Sequence, residues 1–195
     1  MRRLVSLFVL AAAAIGLAAC PPPPALPTYA EITFSHLPPI EVNVAEIRIE
    51  VPYQEPLATP HVGESFPVPP TRAARRWAED RLRAVGDRGV LVITIREAGA
   101  VETELEQTGG LTGAFTKQQA QKYEATVSMT AEATDPVGPR VGNSSVTVRR
   151  SVTVREDADI NEREDTWYKL TQDVMADLNT AMEAEIRRSL ASFLR

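Results

Sequence analysis

YEATVSMTAEA, residues 123–133, puts Tyr123, Ala125, Val127, Met129, Ala131 and Ala133 at every second position, with Glu124, Thr126, Ser128, Thr130 and Glu132 between them. That period of two is the pattern of a strand with one face on a core and the other in water. Asp135-Pro-Val-Gly-Pro139 follows with turn chemistry, and Val146 to Val154 alternates again, which predicts an antiparallel return. A one-sided hairpin needs something apolar laid across it, so the fold is decided by what the flanking sequence supplies.

Toward the N-terminus, Val90-Leu-Val-Ile-Thr-Ile95 reads as a buried central strand extending through Val101 and Thr103 toward Leu105. Between it and the hairpin, Thr108 to Gln121 (TGGLTGAFTKQQAQ) is too long for a tight turn and predicts a protruding loop. Thr71 opens a predicted helix of about 15 residues, with Ala74, Trp77, Ala78, Leu82 and Val85 on one face, arginines on the other, and Gly86 or Gly89 as the stop. Before it, Ile40, Val42 and Val44 alternate, then Ile47, Ile49 and Val51 alternate in the opposite phase, which suggests a strand with a bulge at Ala45-Glu46.

Toward the C-terminus, acidic residues from 156 to 165 lead into a long helix with the stripe Trp167, Leu170, Val174, Leu178, Met182, Ile186, Leu190 and Phe193. Acids at its start and Arg187, Arg188 and Arg195 at its end suit the helix dipole. The order strand, helix, three strands, helix predicts an α+β two-layer sandwich: a mixed sheet with two helices on one face, in a single domain over 40–195.

The first residues are different. Arg2 and Arg3 precede an apolar run from Leu4 to Leu17, and Ala18-Ala19 lead to Cys20, the only cysteine. This is the layout of a secretory signal peptide over 1–19, and the run is short of the roughly 20 apolar residues of a membrane-spanning helix. Of 15 prolines, 13 lie between Pro21 and Pro70, and residues 20–39 read as a tether in which Pro21 to Pro27 is an extended spacer. The formal charge of −5 grows more negative once Arg2 and Arg3 are lost, which argues against nonspecific nucleic-acid binding.

Catalytic chemistry is hard to place. The only histidines, His36 and His61, fall in the proline-rich part, where both read as exposed loop residues, and no G-x-S-x-G accompanies them. Gly109-Gly-Leu-Thr-Gly113 lacks the Lys-Ser/Thr of a phosphate loop. Asp157-Ala-Asp-Ile-Asn161 imitates half a calcium loop but has Glu162 where glycine is needed and Tyr168 where glutamate is needed. A helix entry capped by Asn161, with Glu164 completing a capping box, is the better reading. No enzyme activity, cofactor or metal site is expected. Arg149-Arg150 is the remaining candidate contact. Alternation puts Arg150 on the face of Val146, Val148, Val152 and Val154, where it is either wet beyond the helix cover or placed to meet an anionic group such as a lipid phosphate.

Leu17-Ala-Ala-Cys20 resembles a bacterial lipobox. That resemblance implies acylation of Cys20, which accounts for a lone cysteine, and an outer-membrane anchor facing the periplasm, since no aspartate stands at position 21. With YEATVSMTAEATDPVG leading to SSVTVRRSVTV, and EREDTWYKLTQDVMADLNTAMEAEIRRSL, the chain resembles small envelope lipoproteins of lipid-export machines. These are the LptE-like lipopolysaccharide-assembly proteins and the PqiC-like auxiliaries of ABC-type transporters. The resemblance implies a non-catalytic accessory or assembly role, with an envelope partner such as a barrel or an ABC/MCE-type transporter. It also implies contact with lipid or lipopolysaccharide, to which Arg149 and Arg150 could contribute. The other reading is a structural or protein-binding outer-membrane lipoprotein unrelated to lipid export.

Overall fold

The computed structural model describes residues 28–106, 118–138 and 140–195. The expected signal peptide, the lipobox-like stretch with Cys20, and most of the predicted loop (107–117) lie outside the described residues. The elements in chain order are β1 (Ile40–Val42), β2 (Glu46–Glu50), α1 (Pro70–Arg81), β3 (Leu82–Ala84), β4 (Val90–Glu104), β5 (Gln119–Thr134), β6 (Val141–Arg155) and α2 (Ile160–Ser189).

The hairpin that the alternation predicts is β5–β6, antiparallel from Thr134↔Val141 to Gln121↔Val154. It continues a mixed sheet of order β2-β4-β5-β6, in which β2 runs parallel to β4 and β5 antiparallel to it. Both helices pack on the face that carries Leu91, Ile93, Ile95, Ala125, Val127 and Met129, all fully buried, so the molecule is the expected α+β sandwich. Midway along β4 the register shifts between Ile95 and Glu97, and the core-facing positions change from odd numbers to Ala98 and Ala100. One extra residue thus carries a long strand across a twist with its apolar side still inward.

Four expectations are corrected. The phase change at 45–46 is not a bulge but a change of sheet. β1 pairs in parallel with β3 in a separate two-stranded sheet, while β2 joins the main one. α1 ends at Arg81, short of the glycines, because Leu82 turns extended (φ −112°, ψ 135°) to pair with Ile40. The last helix is capped two residues earlier than predicted: Asp159 accepts from the Glu162 N–H at 2.9 Å, and the Glu162 carboxylate accepts from the Asp159 N–H at 3.1 Å. Finally, Gln119 to Gln121 belong to β5 rather than to the loop.

The long stripe is buried as expected, although α2 ends at Ser189 instead of near Leu194, with Leu190 as its C-cap and Phe193 in a following 3-10 turn. Leu170, Val174, Leu178, Met182, Ile186, Leu190 and Phe193 are buried, with Trp167 stacked on Phe66 at 5.0 Å between centroids and edge-on to Tyr123 at 5.4 Å. The arginine-covered face of α1 is not uniformly wet. Arg81 is 1% exposed and donates to Asn179 Oδ1 at 2.9 Å, to the Pro38 carbonyl and to Glu183, joining both helices to the segment before β1. That segment, read from the sequence as tether, is fastened to the domain. Ile32 and Phe34 are in the core, and the Phe34 N–H donates to Asp80 Oδ2 at 2.8 Å.

Candidate functional site

The two arginines of β6 stand on opposite faces, as the pleat requires. Arg150, paired with Ala125, leans toward α2 and forms a two-pronged ion pair with Asp177, with Nη2 to Oδ1 at 2.9 Å. That hydrogen bond holds the Asp177 carboxyl below the ordinary carboxylate range and raises Arg150. The side chain is about half exposed, so its stem lies on the sheet edge while its charge is already met. Arg149, paired with Thr126, faces the side of the sheet that no helix covers and has no ion-pair partner among the described residues. Of the pair, Arg149 is the cation left open to a further anionic contact.

Arg149 stands at the rim of a cleft of about 190 Å³ with Tyr53, His61, Glu97, Gly99, Val101 and Glu124. The cleft is bounded by the proline-rich strap after β2, which runs along the edge of β4 beyond the end of β2: the Val62 N–H donates to the Ala100 carbonyl at 2.9 Å and the Glu102 N–H to the Pro60 carbonyl at 2.8 Å. His61, expected to be exposed, is half-buried and bridges Val101. His36 is exposed. The clasp that seats the strap is Glu55, whose carboxylate accepts the N–H groups of Ala100 at 2.7 Å and Glu64 at 2.8 Å. A Cβ at Gly63 or Gly99 would run into that carboxylate, so the close approach itself requires glycine at both places. Burial and the charges of Glu55, Glu97 and Glu64 push the Tyr53 hydroxyl up to about 12, so Tyr53 stays a neutral donor at any physiological pH. Proline and glycine mark this stretch as irregular. The clasp leaves no signal in the sequence, because Glu55 and its donors are 45 and 9 residues apart.

The arrangement offers a shallow polar cleft and an open cation. Among the described residues no group of three His, Cys, Asp or Glu is placed to hold a metal ion, and no helix is long and apolar enough to cross a membrane.

The end from which the preceding chain leaves the domain is also built. The Tyr29 hydroxyl donates to Asp165 Oδ1 at 3.0 Å, its ring lies 5.2 Å from that of Tyr168, and the Tyr168 hydroxyl donates to the Ala30 carbonyl at 3.0 Å. The root of the N-terminal segment is thereby fixed to the first turns of α2.

No protein-family model matches the sequence, and a search of curated proteins returns no match. Among solved structures, the chain is similar to a minor lipoprotein from Acinetobacter baumannii at 16% identity and a TM-score of 0.36, over 78% of this chain and 96% of that one. It is similar to the rare lipoprotein B from Shewanella oneidensis at 14% identity and 0.37, over 75% and 98%. A third similarity, to an uncharacterized lipoprotein B from Nitrosomonas europaea, has 11% identity and 0.35, over 84% and 96%. All three are loose in sequence and in superposition, and the functional reading rests on the residues of this chain.

Proposed function

We propose that the chain is a non-catalytic lipoprotein, anchored in the outer membrane through Cys20 and facing the periplasm, that serves as an accessory or assembly component of a lipid or lipopolysaccharide transport machine. The observation that carries the reading is Leu17-Ala-Ala-Cys20: the only thiol of the chain sits between an apolar run and a run of prolines. A lipidated cysteine needs no disulfide partner, and small residues before it admit the peptidase. Thr28 follows Cys20 by eight positions, which limits the reach of the connecting chain to about 28 Å. The domain therefore works close to the lipid surface, with its α2 entry end tied toward it. Arg149 is the group open to an anionic headgroup or a partner carboxylate.

The test is complementation of a deletion strain. The deletion is expected to sensitise cells to detergent or bile salt. Cys20→Ser is expected to accumulate as unprocessed precursor or soluble protein and fail to restore resistance. Arg149→Glu is expected to fractionate with membranes like the parent and still fail to restore it. Unchanged mass and fractionation of Cys20→Ser rules out the anchor. A deletion without envelope phenotype rules out the transport role.

A further inference from the structure

β6 is the last strand of the main sheet, and no described segment lies along its outer side. Which of its backbone groups are free follows from the register. The Asp135 N–H donates to the Arg140 carbonyl at 3.2 Å, and the pairing continues unshifted through Gln121↔Val154. Antiparallel ladders alternate bonded and non-bonded pairs. The pairs that exchange hydrogen bonds are then those of Gly142, Ser144, Val146, Val148, Arg150 and Val152, the residues facing α2. Asn143, Ser145, Thr147, Arg149, Ser151 and Thr153 turn their N–H and C=O groups outward. This is a long edge with no proline and no lysine in it, and its only charges are Arg149, Arg150 and Arg155 toward one end, so the stretch from Val141 to Val148 carries none of the charges that blunt an edge.

The side chains on the two faces show what is missing. On the α2 side, Val146, Val148 and Val152 are only half-buried, while their β5 partners Met129, Val127 and Tyr123 are fully buried. Near the strand end, a cleft of about 280 Å³ opens between Thr153 and Arg155 of β6 and Glu162, Thr166 and Lys169 of α2. A further strand laid beside β6 would cover the three valines and meet the flank of α2. A second copy of this domain is a poor occupant. β6 carries three arginines and no carboxylate, so two such edges joined about a two-fold axis would set like charges along one seam and leave Arg149 unmet. α2 already flanks that face, so the added strand needs no helix of its own.

We propose that the β6 edge is a docking site for one extended strand of a different polypeptide, bare of helix on its α2-side face. That strand alternates apolar residues toward Val146, Val148 and Val152 with polar ones on the open face, including a carboxylate beside Arg149, which has no ion-pair partner among the described residues. The recognition is strand addition, in which main-chain bonds supply affinity and alternate side chains supply specificity. This goes beyond the anchoring and transport reading and stands without it.

The experiment is amide hydrogen exchange on the folded chain, alone and with the capped peptide Thr-Val-Thr-Val-Glu-Val-Thr-Val-Thr at millimolar concentration. Alone, the outward amides of Asn143, Ser145, Thr147, Arg149, Ser151 and Thr153 exchange fast and their inward neighbours slowly. With peptide, the outward set is expected to slow by about tenfold or more. Thr147→Pro removes one outward N–H and no ladder bond, so it keeps the fold and abolishes the slowing. Ser151→Pro, of the same parity, serves where the first variant does not fold. The proposal is overturned if the outward amides are already slow in the lone chain or do not respond to the peptide. It is also overturned if their protection rises with protein concentration as the chain dimerises, which makes the occupant a second copy.

Discussion

Two buried charges show how single residues are held. Arg81 is enclosed because each of its three guanidinium nitrogens meets an acceptor, and two of these, Asn179 and Glu183, are on α2. Asp135, at the hairpin turn, is 2% exposed as a side chain and sits between Arg140 at 2.6 Å, Arg88 at 3.4 Å and the Val137 N–H at 3.1 Å. The Arg140 hydrogen bond, then that N–H, hold its carboxyl below the ordinary carboxylate range. A depressed carboxylate stabilises the fold above its unfolded pKa, and that stability is lost as pH falls through the folded value. Asp135→Asn is therefore expected to be less stable than the parent at neutral pH, with the gap closing as pH drops below about 4. Urea midpoints at a series of pH values measure it, and a gap constant to the acid limit refutes the charge as its cause.

Among the elements, α2 illustrates what periodicity can and cannot tell. Its apolar stripe is readable because positions three and four apart share a face, and every member of the stripe is buried. Its start is not, since Asp159 and Asn161 are equally good caps and each has a glutamate three residues on. Only the backbone decides, and it makes Asp159 the cap. Asp159→Ala is expected to cost about 0.5–2 kcal/mol in thermal or chemical denaturation, while Asn161→Ala stays within about 0.5 kcal/mol. The reverse order would place the cap where the sequence suggests. The same limit hides Arg81 among the arginines of α1, and Asp177 as the partner of Arg150, because pairing across 98 and 27 residues leaves no local mark. The split of β1 from β2 is visible only as a change of phase, and phase does not tell a bulge from a change of sheet.

At the scale of the whole molecule, the boundary between tether and domain falls earlier than composition suggests. Prolines run on to Pro70, yet Ile32 and Phe34 are already core residues. A chain begun at Thr28 is expected to match one begun at Cys20 in stability. One begun after Leu37 is expected to lose about 3–6 kcal/mol, the burial of two large apolar side chains. Equal denaturation midpoints for the two truncations would show that the segment contributes nothing to the fold.

The docking of Tyr29 has a mechanical consequence. Any tension on the residues before Thr28 reaches the domain first at Tyr29 and Tyr168, and next at Phe34 and Asp80. The load divides between two helices instead of concentrating on Ile40 and peeling the small sheet open. The segment acts as strain relief does on a cable: a tug spends itself on surface rings and a few hydrogen bonds, and the sheet behind them keeps its register.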